Sequence, residues 1–227
     1  MNPPLADRFY LSDGEIHFLW HFIQGSIMEP VMRQRLRRTW GFCQRHAWGF
    51  LAIECAFRDG YLHGSAILYE DLMERAQTAF ISSRRGSAAW RLRNRGPCPM
   101  CDLGYGLHSV GYAQPAVLDR GRDSTNLRRF ASETRQYWER YVCGQCLGQG
   151  GMEPRCRPHL LADMSQGRLG NLEAEEGFVR YLLNHLKAYS RSFRWEWQDT
   201  ETSEDRVSLI SAVGWLSGWT ELLELLK

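Results

Sequence analysis

Cys98-Pro-Met-Cys101, Cys143-Gly-Gln-Cys146 and Cys156-Arg-Pro-His159 punctuate residues 98–159, and Cys43-Gln-Arg-His46 stands upstream of them. In each pair two soft or borderline ligands lie three residues apart, so one turn of backbone can offer both to a single ion. Two such pairs complete a tetrahedral Zn²⁺ shell. Four pairs fill two shells, each of three Cys and one His. The expected cofactor is therefore Zn²⁺, at two sites, or at one if Cys43 and His46 are left over.

The rest of the composition fits a scaffold held this way. A chain of 227 residues with 44% hydrophobic and 12% aromatic residues can bury one good core or two small ones. Formal net charge is only +2, but the basic residues are 26 Arg and 2 Lys. Planar guanidinium donors suit phosphate or carboxylate. Met1 to Phe9 lacks a basic start followed by an apolar core, and no apolar run is long enough to span a bilayer. The expected location is the cytoplasm, where thiols stay reduced and Cys pairs bind metal more often than they form disulfides. Seven cysteines, an odd number, also argue against a closed disulfide framework.

Periodicity predicts helices and little strand. Ser12-Asp-Gly-Glu15 has capping-box spacing ahead of a helix to about Ile23. Pro30 can open a second helix. Cys43 and His46 fall at the start of a third, running to about Arg58, where the positive helix end favours a thiolate. Further helices are expected over 63–80, 125–142, 172–193 and 204–226, the last capped by Ser203, with residues 112–123 read as loop. His17 and His21 lie one helical turn apart and read as part of an amphipathic helix rather than as ligands. Cys55, among Ile53, Ala56 and Phe57, reads as a buried structural cysteine. The fold class expected is all-α: an irregular helical bundle of two halves stapled by Cys/His zinc sites. Residues 1–90 form the first half with Cys43 and His46, 91–170 the second with the other three pairs, and 171–227 a helical hairpin packing on both.

Between Arg75 and Cys101 there is no acidic residue, and Arg84, Arg85, Arg91, Arg93 and Arg95 surround Trp90. This stretch is the candidate contact for an anionic partner such as nucleic acid. Its alternative reading is a loop whose arginines are neutralised within the fold.

The chain resembles a bacterial family of domains of unknown function that has two half-repeats, each opening on a CPxC motif and closing on a CxxH motif at the head of a helix. Gly41-Phe-Cys43-Gln-Arg-His46-Ala-Trp48 and Ala66-Ile-Leu-Tyr-Glu-Asp-Leu72 match the first half. Cys98-Pro-Met-Cys101 and Cys156-Arg-Pro-His159-Leu match both ends of the second, and Tyr181 through Arg194 with the final helix resembles the family's tail. The resemblance implies a helical metal-binding fold and no particular activity. Two departures stand out: no cysteine occurs near Leu5-Ala-Asp-Arg8, where the first CPxC belongs, and Cys143 with Cys146 is an added pair. The resemblance implies one zinc on Cys98, Cys101, Cys156 and His159. Cys43, His46, Cys143 and Cys146 would then hold the other and staple the halves. Sequence proximity favours the rival pairing, in which Cys143, Cys146, Cys156 and His159 form a compact finger and Cys43, His46, Cys98 and Cys101 join.

Closed Cys₃His shells offer no open coordination position, and no GxxxxGK[ST], GxSxG or HExxH is present. The expected role is therefore a non-catalytic structural or interaction protein with a protein partner. Binding of DNA or RNA through the Arg-rich stretch is the first alternative. Thiol redox chemistry at a CxxC pair is the second, although the βαβ context of a thioredoxin-like site is missing.

Overall fold

In the computed structural model, residues 10–81, 87–149, 154–168 and 172–227 are described. Among them the structure is helical, with no strand. Contacts divide the chain into two compact units that interleave along the sequence. The first is built from residues 1–65, 95–133 and 220–227, the second from 66–94 and 134–219.

The first unit contains α1 (Asp13–Gln24), α2 (Pro30–Thr39), α3 (Gln44–Phe57), α6 (Pro99–Asp102), α7 (Pro115–Arg122), α8 (Thr125–Glu133) and α13 (Thr220–Leu225). Its centre is α3, buried on every face from His46 to Ala56. A helix apolar all round must be wrapped by others, and α1, α7, α8 and α13 pack against it. Phe22, Phe42 and Phe50 meet edge-on with ring centres 5.2–6.0 Å apart. The capping box at the head of α1 is present as read: the Ser12 hydroxyl accepts from the Glu15 amide, and the Glu15 carboxylate accepts from the Ser12 amide. Pro30 is the first residue of α2. Residues 115–122, expected as loop, are helical instead. Pro115 occupies the first turn of α7, and Gly121 lets its backbone close on Ile16 and Ile53.

The second unit contains most of α4 (His63–Ile81), then α5 (Ala88–Leu92), α9 (Arg135–Trp138), α10 (Arg157–Ser165), α11 (Leu172–Ser192) and α12 (Ser203–Ser217). Here α12 is the helix buried all round, from Val207 to Ser217, and α9, α10 and α11 pack on it. Trp138 and Trp219 stack with centroids 5.7 Å apart.

Two long helices expected from periodicity are broken. The 125–142 segment stops at Glu133 and resumes at Arg135, because Thr134 leaves helical geometry (φ −101°, ψ 4°) where the chain passes from one unit to the other. The 204–226 segment breaks at Gly218 (φ 105°), whose left-handed backbone turns Trp219 back over Gly214. The cap of α12 is Thr202, one residue earlier than expected, in a capping box with Asp205.

Candidate metal centres

All eight candidate ligands converge, in two groups of four, one per unit. Cys43, His46, Cys98 and Cys101 have their ligand atoms within 4.8 Å of one another, as do Cys143, Cys146, Cys156 and His159. The compact pairing is the one formed. The long-range pairing implied by the family resemblance is not: Cys98 and Cys101 meet Cys43 and His46 rather than Cys156 and His159, and the staple from Cys43 and His46 to Cys143 and Cys146 is missing. The departures were linked in the opposite sense. The CPxC pair expected to open the second half serves the first unit, and the added Cys143/Cys146 pair serves the second.

Both CxxH motifs use one local device. Cys43 and Cys156 are the N-caps of α3 and α10, in extended geometry (φ −65°, ψ 168° and φ −76°, ψ 156°). His46 and His159 fall at the third helical position, the place that faces the cap in a capping box. Cys and His therefore point to one spot at the positive end of a helix, where a thiolate is favoured. Cys98 similarly heads the short helix α6, with Cys101 in its single turn. Cys143 and Cys146 sit on a tight turn closed by the Leu147 amide on the Cys143 carbonyl (3.2 Å) and by the Gln149 amide on the Gly144 carbonyl (2.8 Å), with Gly148 left-handed (φ 72°).

The distances test the fit to an ion. A tetrahedral centre with metal–sulfur bonds near 2.3 Å and metal–nitrogen bonds near 2.0 Å holds sulfurs about 3.8 Å apart and sulfur from nitrogen about 3.5 Å. In the first cluster Cys43 Sγ and Cys101 Sγ are 3.8 Å apart. His46 Nδ1 lies 3.3, 3.4 and 3.5 Å from Cys43, Cys98 and Cys101. In the second, Cys146 Sγ and Cys156 Sγ are 3.8 Å apart, and His159 Nδ1 lies 3.3, 3.5 and 3.2 Å from Cys143, Cys146 and Cys156. Both sets match a tetrahedral shell to a few tenths of an ångström.

Neither shell stands alone. With Nδ1 on the sulfurs, His46 Nε2 donates to Glu15 Oε1 at 3.0 Å, and Arg45 grips the same carboxylate at 2.6 and 2.7 Å. Glu15 is fully buried. Burial opposes its charge, yet the hydrogen bonds from Arg45, His46 and the Ser12 amide prevail and hold its pKa at about 2. A carboxylate behind the histidine fixes the tautomer that presents Nδ1. Burial also opposes the His46 imidazolium, but Cys98 and Glu15 raise its pKa to about 9. A hydrogen bond from Cys43, set against burial and reinforced by His46, pulls the Cys98 thiol down to about 4, while Cys43 is driven up. In the second cluster Cys143 is pulled far down by Cys146 and Cys156, and Cys156 is pushed up by its hydrogen bonds to Cys143 and Cys146. Each cluster thus favours a thiolate, the form a metal requires.

Around the second cluster, Asp163 accepts from Arg155 (2.8 Å), Arg168 (2.8 Å) and Gln145 (3.1 Å), tying the Cys143–Cys146 turn to α10. Arg157, between Cys156 and His159, is buried. It donates to the carbonyls of Leu216 (3.1 Å) and Leu92 (2.8 Å) and to Asn94 Oδ1 (2.9 Å). Burial lowers its pKa to about 10, which leaves it cationic at neutral pH. Three thiolates and one divalent ion would carry net charge −1, and Arg157, inside the second CxxH motif, places a buried cation beside that charge.

Sequence reasoning named the eight residues that converge and missed this supporting layer. Glu15 had a visible role as a helix cap, and nothing in its spacing pointed to His46, 31 residues on. The other expected residues fall elsewhere. His17 and His21 have ring centres 4.8 Å apart, but His17 Nδ1 accepts the Tyr112 amide, and neither joins a ligand group among the described residues. Cys55 is fully buried, as read. Arg84 and Arg85 lie outside the described residues, as does the segment 5–8. Arg91 is on α5, Arg93 lies 5.4 Å over the ring of half-exposed Trp90, and the Arg95 amide donates to the Arg38 carbonyl. No helix among the described residues is long and apolar enough to cross a membrane. Comparisons with models of known families, with curated proteins and with solved structures find no match to this chain.

Proposed function

We propose that this is a zinc-stabilised helical protein that acts by binding a protein partner, with both ions structural. The observation that carries the reading is that each cluster gathers three sulfurs and one imidazole nitrogen, four ligand atoms that would close a tetrahedral shell and leave no position for water or substrate. A structural zinc contributes about 10–16 kcal/mol of apparent binding energy, comparable with the stability of a whole domain. The ions alone therefore account for the cysteines. Partner binding is supported by Trp195, 83% exposed beside Trp197, whose ring carries Arg191 at 4.0 Å. Exposed Trp with Arg is the composition of interface hot spots. The deciding experiment is elemental analysis of purified protein, read with thiol titration before and after chelation. Two zinc ions per chain and thiols protected until chelation are expected. A metal-free folded protein, or six ligand thiols that all react at the same rate before and after chelation, refutes the reading.

A second reading, nucleic-acid binding, has one observation in its favour: the Arg93–Trp90 stack offers a cation and a ring face to a backbone and a base. It requires binding that weakens steeply with salt and a slope reduced by neutralising Arg91, Arg93 and Arg95.

A further inference from the structure

The two clusters differ in how they meet solvent. In the second, Cys143 and Cys156 are at most 1% exposed, and Cys146 is intermediate. In the first, Cys43 and Cys98 are intermediate but Cys101 is exposed, the one metal-ligand sulfur in that class. Its Sγ lies 3.8 Å from that of Cys43, which belongs to a different element: Cys43 caps α3, and Cys101 closes α6. Zinc holds its sulfur ligands as thiolates and lowers their nucleophilicity without abolishing it, and susceptibility to oxidants follows thiolate character together with exposure.

We propose that Cys101 is an oxidation site through which peroxide opens the first metal centre selectively, with Cys43 as the resolving thiol; this rests on the zinc reading above. The Cys101 thiolate attacks one oxygen of hydrogen peroxide, the O–O bond breaks, and the other oxygen leaves as water after taking a proton. Cys101 becomes a sulfenic acid. The Cys43 thiolate attacks that sulfur, an S–S bond forms, and the hydroxyl leaves as a second water with another proton. Two electrons pass from the two thiolates to one peroxide. The sulfurs close from 3.8 Å to the ~2.0 Å of a disulfide. His46 and Cys98 remain as two ligands, too few for a closed shell, and Zn²⁺ departs. The new bond keeps α6 tethered to the head of α3, so reduction and fresh zinc restore the site.

The test uses the full chain loaded with zinc, treated with hydrogen peroxide while a chromophoric chelator reports released metal, with peptide mapping of differentially alkylated thiols. One zinc equivalent is expected to leave at least about tenfold faster than the other. A Cys43–Cys101 disulfide should appear in step with it, and thiol reductant with added zinc should reverse both. Cys101→His, which retains a ligand but removes the exposed sulfur, should slow the fast phase toward the rate of the slow one. Equal release of both ions, first oxidation at Cys146, or a disulfide that excludes Cys43 overturns the proposal while leaving the zinc reading intact. Protein that carries no zinc before peroxide is added sinks both.

Discussion

Replacing Glu15 by Gln removes one charge and almost no volume. The one amide oxygen can accept from His46 Nε2 or from the Ser12 amide but not from both, because Glu15 uses a separate oxygen for each, so the variant gives up either the histidine support or the cap of α1. What is lost is the anion that orders the site. The histidine loses the carboxylate that raises its basicity, a change that typically lowers metal affinity about 10–100-fold, or roughly 1.4–2.7 kcal/mol at 1.4 kcal/mol per tenfold. Arg45, whose side chain is 16% exposed, loses its ion pair with Glu15 and keeps its hydrogen bond to the Tyr10 carbonyl. Breaking a fully buried pair costs about 3–5 kcal/mol; the residual exposure and the nearby anionic metal centre place this case at about 2–3 kcal/mol. The assay is competition for zinc by a chelator of known affinity, because the second cluster, in the other unit, serves as an internal reference. The expected result is one weakened site and one unchanged. Two unchanged sites would show that Glu15 is only a helix cap, and two weakened sites would show a global loss of fold. The pH sign follows from the lowered pKa of about 2. The stabilisation from Glu15 is complete above its unfolded value near 4.3 and fades as pH falls toward 2. The Gln variant should lack that part of the acid transition.

Removing metal with a strong chelator should abolish most helical circular dichroism, since about 10–16 kcal/mol per site exceeds what a small unit retains without it; a metal-free protein with native ellipticity refutes this. Arg157→Lys should cost roughly 3 kcal/mol in denaturant unfolding, because an ammonium cannot reach all three of Leu216, Leu92 and Asn94 and buried acceptors are left unpaired. Gly214→Ala should destabilise by about 2 kcal/mol and alter tryptophan fluorescence, because the added Cβ would lie 2.2–2.5 Å from atoms of the buried Trp219 ring, more than the helix-propensity gain offsets. Asp205 is held below its ordinary value of 3.8, where hydrogen bonds from Thr202 and His185 outweigh burial. Its contribution is present above that value and lost as pH falls below it, so Asp205→Asn should flatten the acid limb of stability and cost about 1 kcal/mol at neutral pH.

Local chemistry was the legible part of this chain. The Ser12–Glu15 box, Pro30 at a helix start and the CxxH head of α3 depend on neighbours within four residues, so spacing alone reveals them; the helix behind Cys156 and His159 was implied only by the family resemblance. The broken helices were not legible. Residues 125–142 and 204–226 keep helical period throughout, and only the passage between units at Thr134 and the left-handed Gly218 interrupt them. Glu15 was half legible, as a cap whose second partner is set by how α1 packs on α3. The Arg-rich stretch also shows what charge counting omits. Among the described residues, Arg93 is laid on Trp90 and the Arg95 backbone is tied to Arg38.

The pairing of ligands was open in the motifs but not in the physics of the chain. Nine residues separate Cys146 from Cys156, whereas 96 separate His46 from Cys143. The remaining connections, His46 to Cys98 in the compact pairing and Cys101 to Cys156 in the long-range one, are of similar length. Closure entropy grows as the logarithm of loop length, so the compact pairing is favoured by about 2 kcal/mol before any packing is counted. The family resemblance pointed the other way because it matched motifs by their order, while an ion selects partners by reach. The same logic ranks the two sites. The first bridges 51 residues between His46 and Cys98 and so holds α3 to α6 across most of its unit; the second bridges nine. Loss of the first ion with both thiols left reduced would release the longer loop, whereas the Cys43–Cys101 disulfide proposed above keeps α6 on the head of α3. The centre with the exposed sulfur is thus also the one that closes the longer loop.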